Sequence, residues 1–155
     1  CEAHPASDKL LVEQIDLGEE VPRQICSGIA QFYPEPAALE GARVVVVANL
    51  KERKMAGQGS KGMLLCACRG EGEEREVVVV QAPEGAAIGE RIAIEIDGEL
   101  SGEPAVPNKV AKKNLYEKVA PHLRTDAEGR VCYRSAPFMT SAGPCTAPLA
   151  NGVVS

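Results

Sequence analysis

The chain has 155 residues, of which 45% are apolar, and a formal net charge of −5 at pH 7. This length suits one compact domain or one domain with an appendix. No stretch approaches the roughly 20 apolar residues that a membrane-spanning helix needs. With two Phe, three Tyr and no Trp, the chain also lacks the aromatic platform on which single-stranded nucleic acids stack. Because it opens at Cys1 rather than at Met, we expect a piece of a longer protein.

The acidic net charge hides a strong segregation of charge along the chain. Residues 71–103 carry 2 basic and 10 acidic groups, whereas residues 51–70 carry 5 and 1 and residues 104–155 carry 7 and 3. Salt screens charges beyond roughly 8–10 Å, so a local field steers a polyanion more than a global sum does. The composition therefore allows nucleic-acid binding at two basic islands.

The first hundred residues predict a succession of short strands, because β-branched runs and alternating patterns are separated by turn residues. Between the second and third strands, EPAALE (35–40) predicts one helical turn. KERKMAGQGSK (51–61) is predicted as a basic loop and PEGAAIGERI (83–92) as a second loop. The predicted strands are KLLVEQIDLG (9–18), RQICSGIA (23–30), ARVVVVAN (42–49), GMLLCACR (62–69) and REVVVVQA (75–82).

Five strands at hairpin spacing with a small helix between them predict a mainly β protein. The pattern favours a closed or partly closed barrel of the oligonucleotide/oligosaccharide-binding (OB) fold, and a sandwich is the alternative.

After Gly102 the sequence pattern changes from predicted strands to a predicted helix. Asn108 is predicted to cap a helix that runs to Pro121, with Ala111, Leu115 and Val119 on one face. Strand-like pieces follow, at 129–135 and 136–140. We therefore expect a barrel domain at 1–102 and a smaller C-terminal extension at 103–155.

The sequence offers little to an enzyme. A nucleophile needs a base within hydrogen-bond reach, and the two histidines, His4 and His122, lie in no nucleophile motif and are interpreted as structural. Cys66 and Cys68 form a CxC pair without a nearby histidine, which is weak evidence for zinc. Reduced thiols are expected, and no catalytic residue, metal or cofactor is predicted.

The basic loop is a better candidate site. Glycines let a backbone approach a ligand closely, and short polar side chains suit phosphate or sugar oxygens. The alternative interpretation, a solvated loop between strands, stays open on spacing alone. The loop carries Lys51, Arg53, Lys54 and Lys61 among Gly57, Gly59 and Gly62, with Asn49, Met55, Ser60 and Met63.

Four segments closely resemble the tRNA-binding domain of the endothelial-monocyte-activating polypeptide II type: HPASDKLLVEQIDLGE (4–19), RQICSGI (23–29), NLKERKMAGQGSKGMLL (49–65) and KKNLYEKVAPHLRT (112–125). That domain occurs at the C-terminus of some methionyl- and tyrosyl-tRNA synthetases and in auxiliary proteins of multi-synthetase complexes. The resemblance implies an OB barrel whose extension docks as a pseudo-dimer partner, so that a monomer suffices. It also implies cytoplasmic, non-catalytic binding of tRNA by its folded shape, which delivers or retains tRNA for an aminoacyl-tRNA synthetase.

Site residues follow from the resemblance position by position. Met63 has an alternative role in packing and Asn49 in fixing the turn. The residues that match the motif are Asn49, Lys51, Lys54, Ser60 and Met63, with Arg53 and Lys61 as basic neighbours and Lys112 and Lys113 in the extension.

Two departures from the family pattern stand out. Ala56 replaces the usual Arg, which removes a multidentate phosphate donor. The usual first strand, with its VGRI-like sequence, would precede Cys1, so we expect an open barrel edge. An alternative function, a protein-interaction or cytokine-like signalling module of a multi-synthetase complex, would use the acidic segment 71–103 to dock basic partners.

Overall fold

The structure, a computed structural model, describes residues 1–155 and is mainly β. Two short helices, α1 (Pro107–Lys112) and α2 (Leu115–Val119), lie in the C-terminal third. No helix has both the length and the apolar character needed to cross a membrane. The strands are β1 Glu2–Ala3, β2 Leu11–Ile15, β3 Arg23–Ser27, β4 Val46–Val47, β5 Arg53–Met55, β6 Gln58–Ser60, β7 Met63–Leu64, β8 Cys66–Arg69, β9 Glu76–Val79, β10 Glu95–Ile96, β11 Glu99–Leu100, β12 Leu123–Thr125, β13 Val131–Tyr133, β14 Ala136–Pro137, β15 Met139–Thr140, β16 Gly143–Pro144 and β17 Val153–Val154.

The N-terminal strands form a three-stranded antiparallel sheet in the order β1-β2-β3. The register runs from Leu11 opposite Ser27 to Ile15 opposite Arg23. Leu11 and Ile25, which lie on the same face of the sheet, are almost fully buried, and Val12 and Cys26 are buried on the opposite face. The strands predicted at 9–18 and 23–30 are confirmed, and the helical turn predicted at 35–40 is a 3-10 turn at Pro36–Leu39.

A six-stranded antiparallel sheet joins the two halves of the chain in the order β14-β13-β12-β17-β8-β9. The C-terminal strand β17 lies between β8 and β12, with Val153 opposite both Cys68 and Arg124. The main core likewise mixes residues from both halves, such as Leu65 and Val80 with Val131 and Val154. The expected extension is therefore continuous with the rest of the fold in sheet and core, and the functional division at 102/103 stays a prediction.

The run 42–49 differs from the long strand predicted there, since only β4 is regular. Val46 and Val47 pair with β7, whereas Val44 bridges Gln81. The run 42–49 therefore pairs with two different neighbours, Gln81 near its start and β7 near its end, and so does not form one continuous strand. The apolar pattern reports burial and does not show this switch.

The single helix predicted from Asn108 to Pro121 is wrong, because two helices occupy this region. Asn114 has φ 49° and breaks the helix with a left-handed residue. Val106 is the N-cap and makes no side-chain capping bond, while Pro107 begins α1. The buried residue of α1 is Val110 rather than Ala111. Because the helix breaks at Asn114, Ala111 no longer shares one face with Leu115 and Val119.

Two hairpins appear where no hairpin is predicted. The basic hairpin (β5, Ala56, Gly57 and β6) replaces the loop expected at 51–61. The acidic hairpin (β10, Asp97, Gly98 and β11) follows the loop at 83–92. In both, the two connecting residues have positive φ, the signature of the type I′ turn that matches the twist of paired strands.

Candidate nucleic-acid interface

The basic hairpin forms the tip of the candidate site. Arg53 lies opposite Ser60, Lys54 opposite Gly59 and Met55 opposite Gln58. Ala56 has φ 48° and Gly57 φ 94°, so the turn holds an alanine in a region that alanine disfavours. The tight turn between the cationic strand β5 and the uncharged strand β6 therefore carries a small conformational cost.

An arginine clamps the base of the basic hairpin. Arg23 Nη1 donates to the carbonyl of Ala48 at 2.6 Å and to that of Lys61 at 3.2 Å. These two carbonyls flank the hairpin: that of Ala48 lies in the segment leading to β5, and that of Lys61 directly follows β6. Glu19 pairs with the same guanidinium through Nε and Nη2, and this pairing lowers the pKa of Glu19. Both ends of the segment are thereby held on β3.

The inner side of the basic hairpin is fixed to β3 by polar side chains. Ser60 Oγ accepts the backbone N–H of Cys26 at 3.0 Å and donates to the carbonyl of Gly62 at 3.2 Å. Gln24 Nε2 donates to the carbonyl of Gly59 at 2.8 Å. Ser60 is only 3% exposed. Its expected role as a tRNA contact is therefore revised, because its hydroxyl is buried and engaged within the protein.

His4 holds the tip end of the same hairpin. Its Nε2 lies 3.0 Å from the carbonyl oxygen of Met55, and its Nδ1 accepts the backbone N–H of Ala6 at 3.0 Å. A neutral imidazole has one donor and one acceptor nitrogen, so these partners assign the proton to Nε2. His4 is 5% exposed, in keeping with the structural interpretation of its motif.

The cations on and beside the basic hairpin face solvent. Lys51, Arg53, Lys54 and Lys61 are all exposed, and none makes an ion pair within 4.0 Å. The chain's ion-paired cations are arginines elsewhere: Arg23, Arg69, Arg91 and Arg130. These cations break no ion pair within the protein when they contact phosphate. The surface is therefore suited to binding a polyanion.

A groove of about 570 Å³ lies at the base of the basic hairpin. It is lined by Lys51 and Lys61, by Arg23, and by Pro107 at the start of α1. Glu19 and Glu52 add acidic groups to the same walls. The hairpin base and the first turn of the extension therefore border one concave surface.

Asn49 ties the two parts of this surface together. Its Nδ2 donates to the carbonyl of Ala105 at 2.9 Å, two residues before α1. Lys112 and Lys113 lie exposed at the end of α1. The structure thus gives Asn49 a bracing contact, in line with its alternative role as a residue that fixes the turn. It brings the start of α1, rather than Lys112 and Lys113 themselves, to the groove.

Met63 lies in β7 opposite Val47 and packs, half-buried, against the main core. This placement matches its alternative role in packing. Among the nine predicted site residues, the structure therefore gathers four exposed cations on and beside the hairpin, places two more at the end of α1, and assigns internal contacts to Asn49, Ser60 and Met63.

The thiols and the second histidine take structural places. Burial raises the pKa of Cys66 to about 12 and that of Cys145 to about 11, which keeps both thiols protonated. His122 contacts the ring of Tyr133 edge-on at 5.9 Å. No group of three or more His, Cys, Asp or Glu side chains is arranged to hold a metal ion.

Three residues that support the site were missed in the sequence. Arg23, Gln24 and His4 contact the hairpin across 25 to 51 residues of chain. The HPxxD and RQICSG segments were recognised as family motifs, and this was the one signal that could have identified them.

Comparison with known proteins places these features in a family. The family described as "Putative tRNA binding domain" matches residues 1–91. The cytoplasmic tyrosine–tRNA ligase of Xenopus tropicalis is 41% identical over 96% of the chain, which spans 27% of that protein. A probable methionine–tRNA ligase of Oryza sativa is 39% identical over 94% of the chain and 17% of its own length.

A synthetase-associated protein and a crystal structure extend the comparison. The mouse aminoacyl tRNA synthase complex-interacting multifunctional protein 1 is 35% identical over 93% of the chain and 44% of its own length. The C-terminal domain of Plasmodium vivax p43 superposes with a TM-score of 0.80 and 34% identity, covering 99% of this chain and 90% of that one. The chain spans less than half the length of these curated relatives. It belongs to the family of tRNA-binding domains.

Proposed function

We propose that this domain binds tRNA without catalysing a reaction, and that it retains or delivers tRNA for an aminoacyl-tRNA synthetase in the cytoplasm. One observation carries the proposal: four exposed and unpaired cations stand on and beside a hairpin that is clamped at its base, side and tip. The similarity to the C-terminal parts of synthetases and to p43 supports the same partner.

The chemistry of the surface favours recognition of backbone shape over recognition of bases. Lysine and arginine provide phosphate contacts that fix position and carry no sequence information directly. Neither the hairpin nor the groove below it contains an aromatic side chain, so bases have no platform to stack on. Double-helical RNA is recognised largely through its shape and backbone, and the folded body of tRNA offers such a target.

We further propose that the β-strands belong to an OB barrel that a further strand closes. A groove of about 1050 Å³ is lined by residues 13–17 and 41–49. Glu13 Oε1 and Arg43 Nε are buried there without hydrogen-bond partners, and a buried polar group without a partner is costly. The backbone of an added strand has donors for the carboxylate and acceptors for the guanidinium.

The extension is proposed to act as an internal substitute for a partner subunit, so that the domain works as a monomer. Strand β17 supports this proposal because it pairs with β8 of the barrel region within one sheet. Sedimentation equilibrium tests it, and a stable dimer at micromolar concentration would contradict it.

The proposed function is tested by changing Lys51, Lys54 and Lys61 together to Ala. We expect tRNA affinity to fall about 100-fold, since each charged contact contributes about 1 kcal/mol, and to fall alike for different tRNA species. The wild-type domain should show a log–log salt slope of roughly −2 to −4, as expected for about three to five phosphate contacts. Mobility-shift titrations at two salt concentrations measure both quantities.

The acidic hairpin provides the matched control, because three charges can be neutralised on the same kind of turn. The variant Glu95→Gln/Asp97→Asn/Glu99→Gln should bind tRNA as tightly as the wild type or slightly more tightly. Equal affinity of the triple lysine variant and the wild type would refute the site. Absence of tRNA binding at low salt would refute the function and favour the protein-interaction alternative.

A further inference from the structure

The imidazole of His4 occupies an unusual position for a residue of the N-terminal segment. It is separated by 51 residues from Met55, yet its Nε2 lies 3.0 Å from the Met55 carbonyl oxygen. Met55 directly precedes the Ala56–Gly57 turn. The contact therefore acts where the hairpin reverses, beyond the anchors that Arg23, Gln24 and Ser60 provide along its base and side.

The local turn fixes the orientation of this ring. The backbone N–H of Ala6 donates to Nδ1 at 3.0 Å, which leaves Nε2 as the protonated nitrogen of the neutral ring. Burial of His4 to 5% exposure keeps water from replacing either partner. The N-terminal segment thus presents one N–H donor, in a set direction, to the hairpin tip.

The tip needs such support because its own turn is strained. Ala56 adopts φ 48°, and a non-glycine residue in the left-handed region costs about 1 kcal/mol. A hairpin of two three-residue strands is marginal by itself. A hydrogen-bond donor to the Met55 carbonyl, directly before the turn, stabilises the conformation of β5, the strand that carries Arg53 and Lys54.

We propose that His4 is a positioning residue for the basic hairpin, which raises affinity for tRNA by holding the tip through Met55 before the RNA arrives. This inference rests on the proposed function. A binder that is ordered in advance loses less conformational entropy on association. His4 touches no RNA in this scheme and acts only through the backbone of the hairpin.

Two substitutions separate the two hydrogen bonds of the ring. In His4→Asn, the shorter amide keeps an acceptor near Nδ1 for the Ala6 N–H but cannot reach Met55. In His4→Gln, the longer amide places an N–H donor near Nε2 and keeps the Met55 contact. We expect His4→Gln to bind tRNA nearly as the wild type does, and His4→Asn to bind about three- to tenfold more weakly, in line with the cost of ordering a few residues.

Hydrogen exchange in the free domain is the second readout, and it does not depend on tRNA. Exchange at the Gln58 amide, which lies opposite Met55 where the turn closes, should accelerate in His4→Asn and stay near the wild-type rate in His4→Gln. Exchange in β2 and β3 should be unchanged in both, which separates a local release of the tip from general destabilisation. The ring nitrogens of wild-type His4, observed by long-range ¹H–¹⁵N spectroscopy, should show the Nε2–H tautomer.

Each outcome decides between the two proposals. An Nδ1–H tautomer, or a tip that exchanges no faster in His4→Asn, would overturn the positioning role even if that variant binds tRNA weakly. A freed tip with unchanged tRNA affinity would also overturn it. A wild-type domain that binds no tRNA removes the proposed function and with it this role in affinity. If His4→Asn does not fold, the tautomer and the affinity of His4→Gln decide: loss of binding in a folded His4→Gln that retains the Met55 contact would contradict the proposal.

Discussion

The two hairpins of this domain share a turn and differ in nearly everything else. Each connects its strands through two residues of positive φ, Ala56–Gly57 in the basic hairpin and Asp97–Gly98 in the acidic hairpin. The basic hairpin is fixed by side chains from β3 and from the N-terminal segment. All six residues 95–100 of the acidic hairpin are exposed, and side-chain hydrogen bonds hold only its base, around Ser101.

The difference teaches that turn geometry and rigidity have separate causes. Asp-Gly is among the residue pairs that most favour a type I′ turn, so the acidic hairpin forms from local preference and needs little support. Ala-Gly lacks that preference, and the basic hairpin owes its shape to contacts made across the fold. The hairpin of the proposed tRNA site is the one that carries the external anchors.

The largest expected effect on stability comes from removing one anchor of the basic hairpin. Ser60→Ala leaves the buried N–H of Cys26 without its acceptor, which should cost about 2 kcal/mol in the free energy of unfolding. Urea denaturation measures it. Ser101→Ala is the matched control, because Ser101 accepts the Ile94 N–H at 3.2 Å at an exposed site, where water replaces the hydroxyl. Equal losses of unfolding free energy in the two variants would show that the buried anchor of the basic hairpin stabilises the fold no more than the exposed bond of the acidic hairpin.

The sequence predicted the strands and the cationic cluster well for a physical reason. Buried strands such as β2 and β3 have a local pattern of apolar residues, and clusters of charged residues can be read directly from the sequence. The two hairpins were missed for different reasons. Asp97–Gly98 is a strong type I′ turn signal but stands in a segment without an apolar pattern, whereas Ala56–Gly57 is a poor turn signal.

The roles of individual site residues were harder to predict than the site itself. A motif marks positions that matter and does not say whether a side chain touches the ligand or holds the backbone. Ser60 and Met63 match the motif and lie inside, while Lys51 and Lys54 match it and lie outside. His4 and Met55 are 51 residues apart, and no local pattern reports a contact at that separation.

A buried carboxyl in β2 gives the next effect. Glu13 is 4% exposed in β2, and Ser27 of β3 donates to its Oε2 at 3.2 Å. Burial raises the pKa of Glu13 from 4.5 to about 7, although the Ser27 hydrogen bond opposes the rise. The folded state therefore holds a proton that the unfolded chain releases between these two values. The stabilisation is complete below about pH 4.5 and is lost as pH rises through about 7.

We expect the free energy of unfolding to fall by about 1.5 kcal/mol between pH 5.5 and 7.5 because of this group. Glu13→Gln should remove most of that dependence, and urea titrations across the range measure it. The acidic hairpin, whose carboxylates are exposed, supplies the control: Glu95→Gln/Glu99→Gln should leave the slope nearly unchanged. A slope that is identical in Glu13→Gln and the wild type would contradict the assignment.

The extension provides a smaller effect on binding. Lys112→Ala/Lys113→Ala should weaken tRNA binding about fivefold, because the two residues lie on α1 and the groove reaches only Pro107 at its start. Mobility shifts measure the change, and the effects of this pair and of the hairpin triple should multiply, as expected for separate contacts. A loss as large as that of the hairpin triple would move the main interface to α1.

The smallest effect exchanges the turn residues that distinguish the two hairpins. Ala56→Asn should raise the free energy of unfolding by about 0.5 kcal/mol, because Asn tolerates the left-handed region better than Ala. Asp97→Ala makes the opposite change, yet it should scarcely alter global unfolding, since residues 95–100 are exposed and open without disturbing the core. The two hairpins are therefore expected to differ: strain in the anchored turn lowers the free energy of global unfolding, whereas strain in the exposed turn does not. Denaturation midpoints of the two variants test it, and a loss in Asp97→Ala as large as the gain in Ala56→Asn would mean that the acidic hairpin is coupled to the core as tightly as the basic one.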